Sequence, residues 1–185
     1  MAVGRDNPSR VLVDMDLESE PKLDIDSAGT HYWYIGNQLH RLDGPACIGA
    51  DGHQLWCVDG KYHRLDGPAV IRTDGSREWY IHGLHHRLDG PAVIRPDGSR
   101  EWYIHGLRHR EDGPAYIGRS GEQGWYINNQ FHRLMGPAIV YPNGDQIWWV
   151  DGVNVTYDVV KWMKEREVTW PWNESTQVEF ALTWS

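Results

Sequence analysis

Phenylalanine is nearly missing from this chain, with 2 residues among 185 against 11 Trp and 9 Tyr. A closed oily core would draw on Leu and Phe. Trp and Tyr bury a large area yet keep one polar atom that needs a partner, which suits a repeated, half-exposed sheet surface. Cysteine is as scarce. Cys47 and Cys57 alone cannot make a disulfide framework and point to a cytoplasmic protein in a reducing compartment. No apolar run reaches the roughly 18 residues of a membrane span, and the opening stretch MAVGRDNPSRVLVDMDLESE lacks the apolar centre of a signal peptide. A basic excess is missing too. The net charge is −8, so nucleic acid is a disfavoured partner. The acidity sits at the ends: 3 Lys/Arg against 7 Asp/Glu in residues 1–30, and 3 against 6 in 151–185. The middle is close to neutral and holds all 10 His.

What that middle does have is repetition. HRLDGPAVIRTDGSREWYIHGLH, from His63 to His85, is followed at once by HRLDGPAVIRPDGSREWYIHGLR. The two blocks differ only at Thr73 against Pro96 and His85 against Arg108. The pattern HRxxGPA recurs at His40, His63, His86, His109 and His132, always 23 residues apart. Trp33, Trp56, Trp79, Trp102, Trp125 and Trp148 keep the same step. Asp43, Asp66, Asp89 and Asp112 keep it as well, until Met135 breaks the column. Five copies in strict register define a repeat architecture within one domain.

Each copy carries two turn signals. One is Gly36-Asn37, Asp59-Gly60, His82-Gly83, His105-Gly106, Asn128-Asn129 and Asp151-Gly152, residues that tolerate positive φ in two-residue hairpins. The other is Asp51-Gly52, Asp74-Gly75, Asp97-Gly98, Ser120-Gly121 and Asn143-Gly144. Strand-like runs such as AVIR and REWYI lie between. Two-residue turns at both places set Val93 opposite Trp102 and Trp102 opposite His109. The six Trp then form the structural core of one face, with Ile104 beside Trp102 and Tyr103 turned the other way. A single hairpin is marginal in water, so the copies must complete one another's sheet. The DGP segment reads as a kink or as a third turn.

The organisation expected is an acidic N-terminal arm or cap at 1–30, repeats at 31–152, and a C-terminal cap at 153–185. VLVDMDL reads as a cap strand within that arm. The run from Thr156 has apolar residues at Val159, Val160, Trp162 and Met163, the pattern of a short amphipathic helix over about 157–166 capped by Thr156 or Asp158. VTWPWNESTQVEFALTWS adds a Pro-containing turn and a final strand or helix.

The 23-residue step, the DG-turn hairpins and a Trp-Tyr pair ahead of a tight turn resemble MORN repeats, above all the divergent MORN-type repeats of bacterial and phage proteins, some of them antitoxin-like. The resemblance covers 31–152. It implies an all-β, single-layer antiparallel solenoid of hairpins acting as an interaction scaffold or spacer. The HRxDGPA variant stands where the family carries G-x-G.

The His column invites a metal reading, but zinc ligands must converge within about 2.0–2.1 Å of one ion, and successive copies stand roughly 10 Å apart. No metal or other cofactor is expected. The triplet His-Arg-x-Asp invites an acid–base reading. Catalysis needs unlike groups converging in one pocket, and here the same triplet is printed four times along the chain. Pairing of Arg87 with Asp89 or with backbone across the DGP bend accounts for it. Cys47, in the column of Val70 and Val93, and Cys57, in the column of Tyr80 and Tyr103, read as buried or half-buried substitutes for apolar residues.

The expectation is therefore a non-enzymatic protein-binding module, a phage-encoded protein that binds and inhibits a host defence or toxin protein. Tyr, Trp and Arg are enriched at interface hot spots. The two most regular copies offer Tyr80, His85, Arg87, Tyr103, Arg108 and Arg110 as partner contacts. The alternatives are a virion or assembly spacer and a sponge for a small anionic nucleotide. Self-association through the solenoid ends is a further expectation.

Overall fold

The computed structural model describes residues 20–184. The chain is mostly β, with two helices, α1 (Thr156–Arg166) and α2 (Glu174–Trp184), after the last strand. One antiparallel sheet of 13 short strands runs from Lys22–Ile25 to Gln146–Ile147. Each copy adds one hairpin of two-residue strands to it, for example Val93–Ile94 with Arg100–Glu101. At the usual strand spacing the sheet is on the order of 55–60 Å long. Each copy then forms a second hairpin, for example Tyr103–Ile104 with Leu107–Arg108. The second hairpins lie side by side and are tied by single bonds, such as Gly106 N–H to His85 C=O at 2.8 Å and Arg87 N–H to Tyr103 C=O at 3.1 Å. A copy therefore holds four short strands, and the DGP segment is a bend that returns the chain from the second hairpins to the sheet.

Trp is the joint between the two strips. The Trp102 N–H donates to Ala115 C=O at 2.8 Å, and its C=O accepts from His109 N–H at 3.2 Å. The second turn is a two-residue type I′ turn, as expected: φ is 49° at His105 and 79° at Gly106, the left-handed pair that such a turn requires. The expected register across Asp97-Gly98 is overturned. Val93 pairs with Glu101, not Trp102. The loop has three residues: Gly98 N–H bonds Arg95 C=O at 3.0 Å, Arg95 N–H bonds Ser99 C=O at 3.1 Å, and Gly98 takes φ 88°. That is a type I turn followed by a left-handed bulge, locked by Asp97 Oδ1 accepting the Ser99 N–H at 2.9 Å.

A one-residue slip changes which side chains face inward. The buried strip of the repeats is made of Ala46, Ala69, Ala92, Ala115 and Ala138, with Cys47, Val70 and Val93. The Trp residues do not form a buried core: only Trp148 is buried, and Trp33, Trp56, Trp79, Trp102 and Trp125 are half-buried.

The ends differ. Lys22–Ile25 pairs with His31–Ile35 as the first hairpin of the sheet, so the repeats are preceded by ordered sheet within the segment read as an arm; VLVDMDL lies outside the described residues. At the other end α1 follows the expected span, but neither Thr156 nor Asp158 caps it. The cap residue is Val155, without a side-chain bond, and Asn154 Oδ1 accepts the Thr156 N–H at 3.0 Å. Asn173 precedes α2 and accepts the Thr176 N–H at 2.9 Å. Trp148, Val150, Val159, Trp162, Trp172 and Phe180 pack into a compact apolar cluster. No described helix is long and apolar enough to cross a membrane.

Candidate functional site

The motif HRxDGPA builds a row of open grooves. In each copy the Arg guanidinium lies on the Trp eight residues earlier: Arg41 on Trp33, Arg64 on Trp56, Arg87 on Trp79, Arg110 on Trp102 and Arg133 on Trp125, at 3.8–4.2 Å from the ring centroid. Arg87 Nε donates to Asp89 Oδ1 at 2.9 Å and Nη1 to Pro91 C=O at 3.2 Å. The guanidinium thus closes the bend as expected, and it holds the Asp89 carboxyl below the usual carboxylate range. A Cβ on Gly90 would stand 3.1 Å from Arg87 Cζ, so a larger residue there would push the stacked guanidinium aside by a few tenths of an ångström. Between successive bends lies a groove lined, for instance, by Arg87, Pro91, Trp102, Ile104, His109 and Arg110. Equivalent grooves recur one copy before and one copy after.

The x of HRxDGPA stands on the ridge. Leu42, Leu65 and Leu88 are 70%, 81% and 78% exposed; Glu111 takes the place in the fourth copy, and Leu134 in the fifth packs on the C-terminal cluster. The fifth copy also has Met135 in place of Asp. There Trp170 covers the motif, 5.7 Å from Arg133, and burial pushes the Arg133 pKa down to about 10. Between two indole rings the charge needs no carboxylate.

The His that opens each motif follows one second hairpin and reaches the turn of the next. His63 Nδ1 accepts the His82 N–H and His86 Nδ1 the His105 N–H, both at 3.2 Å, and His40 and His132 take the Asp59 and Asp151 N–H, so four of the five tie the first left-handed residue of that turn through its backbone. The side chain found there varies. The His63–His82 and His86–His105 rings are 4.5 Å apart. His40 and His132 instead meet Asp59 and Asp151, and His109 meets Asn128. Burial, then the facing His82 or His105, lowers the His63 and His86 pKa values.

The second hairpins display a continuous ladder of flat groups. Tyr62–Tyr80, Tyr80–His85 and His85–Tyr103 are 5.1, 4.1 and 5.0 Å apart. Arg108 follows between Tyr103 at 5.7 Å and Tyr126 at 5.6 Å, then Phe131 and Trp149. Under the cations lie carboxylates. Glu78 Oε2 accepts from Tyr80 OH at 2.8 Å and faces His85 Nε2 at 3.0 Å, while Oε1 accepts from Arg72 Nη2 at 2.8 Å. The His85 bond above all, with Arg72 and Tyr80 adding to it against burial, holds Glu78 at about 2. Glu101, only 4% exposed, accepts from Tyr103 OH at 2.8 Å, pairs with Arg95 at 2.6 Å, and is held by Arg108. Burial raises its pKa, and the bonds from Arg108, Tyr103 and Arg95 outweigh it.

No protein-family model and no curated protein matches this chain. Its chemistry is therefore read from its own two faces. Of the six expected contacts, Tyr80, His85, Tyr103 and Arg108 share the ladder, whereas Arg87 and Arg110 belong to the grooves. The six do not form one surface. Glu78, Glu101 and the ridge leucines went unnoticed in the sequence. Alternation in REWYI carried a signal for the first two, because residues two apart on a strand share a face. Cys47 and Cys57 are free and 2% exposed, as their columns implied. Among the described residues no cluster of three or more His, Cys, Asp or Glu is placed to hold a metal ion.

Proposed function

We propose that this chain is a non-enzymatic protein-binding rod built on divergent MORN-type repeats, and that it is a phage-encoded protein acting in the host cytoplasm by binding and blocking a host defence or toxin protein. The observation that carries the reading is the row of near-identical grooves topped by Leu42, Leu65 and Leu88, each 70% exposed or more. Three leucines placed in water at one step of a repeat are an apolar surface of the kind that marks protein interaction. Their bends are braced so that little ordering is left to do on binding. The motif groups are spent on bracing: each Arg is stacked on the second hairpin before it and bonded within its bend, and each His meets the turn of the second hairpin after it.

The test is affinity capture from bacterial lysate with the full chain and with Leu65→Lys/Leu88→Lys. A host protein held by the first and lost by the second supports the reading. Recovery of only virion proteins or of the chain itself would replace it with the spacer role. A nucleotide that raises the melting temperature would replace it with ligand sequestration, since a ligand bound only by the folded state must stabilise it.

A further inference from the structure

We infer that the grooved face takes a basic partner segment in polyproline-II conformation, laid along the rod across the bends; the inference rests on the protein-binding reading above. Two strands per copy set the groove spacing at about 9.4–9.8 Å. A polyproline-II chain presents the same side every third residue, about 9.3 Å along its axis. A helix presents the same side every seven residues, about 10.5 Å. Over the four steps between five copies the helix runs out of register by roughly 3–4 Å and the polyproline-II chain by roughly 2 Å at most. A β-strand fails differently, since its third residue points to the opposite side.

The chemistry of the face agrees. The grooves offer Trp with Ile, or with Val58 in the groove at Trp56, on the floor, Leu and Pro on the ridges, and room open to solvent, a surface for pyrrolidine rings. Aromatic-lined grooves suit polyproline-II segments because little chain entropy remains to be lost. The charge that faces water is negative. The side chains of Asp43, Asp66, Asp89 and Asp112 are 82–84% exposed, whereas the arginines bonded to them are 22–25% exposed. Only Oδ1 of each carboxylate is engaged by the Arg Nε, as in Arg64 to Asp66 at 2.8 Å. A partner with a basic side chain at every third position would meet one such carboxylate in each of the first four copies.

The experiment is fluorescence anisotropy of a labelled (Pro-Pro-Arg)5 peptide titrated with the full chain. The comparators are (Pro-Pro-Glu)5 and a basic amphipathic helix of equal charge with leucine at every seventh position. The inference expects saturable binding of (Pro-Pro-Arg)5 alone, at least tenfold weakening by Leu65→Lys/Leu88→Lys, and several-fold tightening by Glu111→Leu, which extends the leucine row. Because these side chains are exposed, unchanged melting curves will show that the variants fold. Binding of (Pro-Pro-Arg)5 indifferent to Leu65 and Leu88 overturns the inference, as does tighter binding of the helix. In the latter case sensitivity to the leucine variants would leave the protein-binding reading standing. No binding of any peptide, together with no leucine-dependent partner in lysate, removes both.

Discussion

The guanidinium carbon of Arg87 lies 4.0 Å from the centre of the Trp79 ring, and the same side chain bonds Asp89 and the Pro91 carbonyl. One residue therefore joins the second-hairpin strip to the bend that leaves it. Asp89 is mostly exposed, so its ion pair is worth little by itself. The planar fork and the stacking carry the bracing, and Lys supplies neither. Arg87→Lys should cost about 1–2 kcal/mol and Asp89→Asn clearly less. Urea denaturation of the full chain measures both. Equal losses would move the weight to the ion pair.

Acid should loosen the repeats in two stages. His63 and His86 have pKa values lowered below 6.5 by burial and by His82 and His105. Between the folded and unfolded values the unfolded chain binds more protons, so the stabilising contribution is present above 6.5 and is lost as pH falls. Glu78, lowered from 4.5 to about 2, has the same sign in a more acidic window, with its contribution lost from about pH 4.5 downward. Replacing His82 and His105 by Asn, the residue already present at Asn128, keeps a side chain that tolerates the left-handed turn. The double variant removes the smaller of the two causes, so it should lessen but not abolish the dependence of the denaturation midpoint near pH 6 and leave the lower step in place.

Much of this architecture was legible in the sequence, and the failures have physical causes. His105-Gly106 and its equivalents were readable because two left-handed residues in a row allow essentially one turn. Asp97-Gly98 was not, because Asp-Gly serves a two-residue turn and a bulged three-residue loop alike; the Asp97 to Ser99 bond decides it, and that one residue sends Glu101, not Trp102, opposite Val93. The Arg–Asp pairing could be read at a separation of two. The Arg–Trp stacking could not, since only the bend brings those side chains together. In α2 just Phe180 is buried, while Val178 and Leu182 are 48% and 77% exposed, so no apolar stripe marked the helix.

Glu101 should be the most sensitive charged position in the repeats. It is 4% exposed and holds Arg95, Arg108 and Tyr103. Glu101→Gln keeps the shape but leaves two cations without their counter-charge. Breaking a buried pair costs about 3–5 kcal/mol. Here the arginines are 33–43% exposed and can rehydrate, so the loss should be nearer about 2 kcal/mol. The companion Arg108→His, which copies the His85 arrangement, should be better tolerated at pH 6 than at pH 8, because only the charged imidazole replaces the cation. Equal tolerance at both pH values would show that the slot does not require a charge.

Both thiols should be silent in the folded protein. Cys47 and Cys57 are 2% exposed. Burial raises the Cys47 pKa and, with a smaller effect of Cys47 itself, pushes Cys57 up to about 11. Thiolate is the reacting form, so a disulfide reagent at pH 8 should label neither residue until denaturant is added, and then both. Rapid labelling in native buffer would show local opening, of the sheet pair Cys47–Ile48 with Gln54–Leu55 if Cys47 reacts, or of the second hairpin Cys57–Val58 with Lys61–Tyr62 if Cys57 does.

The C-terminal helices should act as the lid of the rod. Phe180 and Val159 are fully buried, and Trp162 and Trp172 are 6% exposed. Phe180 packs on Trp172 at 4.9 Å and on Trp184 at 4.4 Å, and Arg166 Nε meets Glu179 Oε1 at 2.6 Å across the two helices. Phe180→Ala should therefore cost about 3–5 kcal/mol. The repeats pack only on their neighbours, so that loss should fall on the last copy first. Hydrogen exchange should show protection vanishing around 125–154 while 47–108 stays protected. Ending the chain after Asn154 goes further, since it uncovers Trp148, Val150 and Leu134 together. A fresh apolar end of that kind should assemble or precipitate, seen by gel filtration as loss of the monomer peak. A truncated chain that runs as a stable monomer would show that the repeats need no lid, and the apolar cluster at this end would then require another explanation.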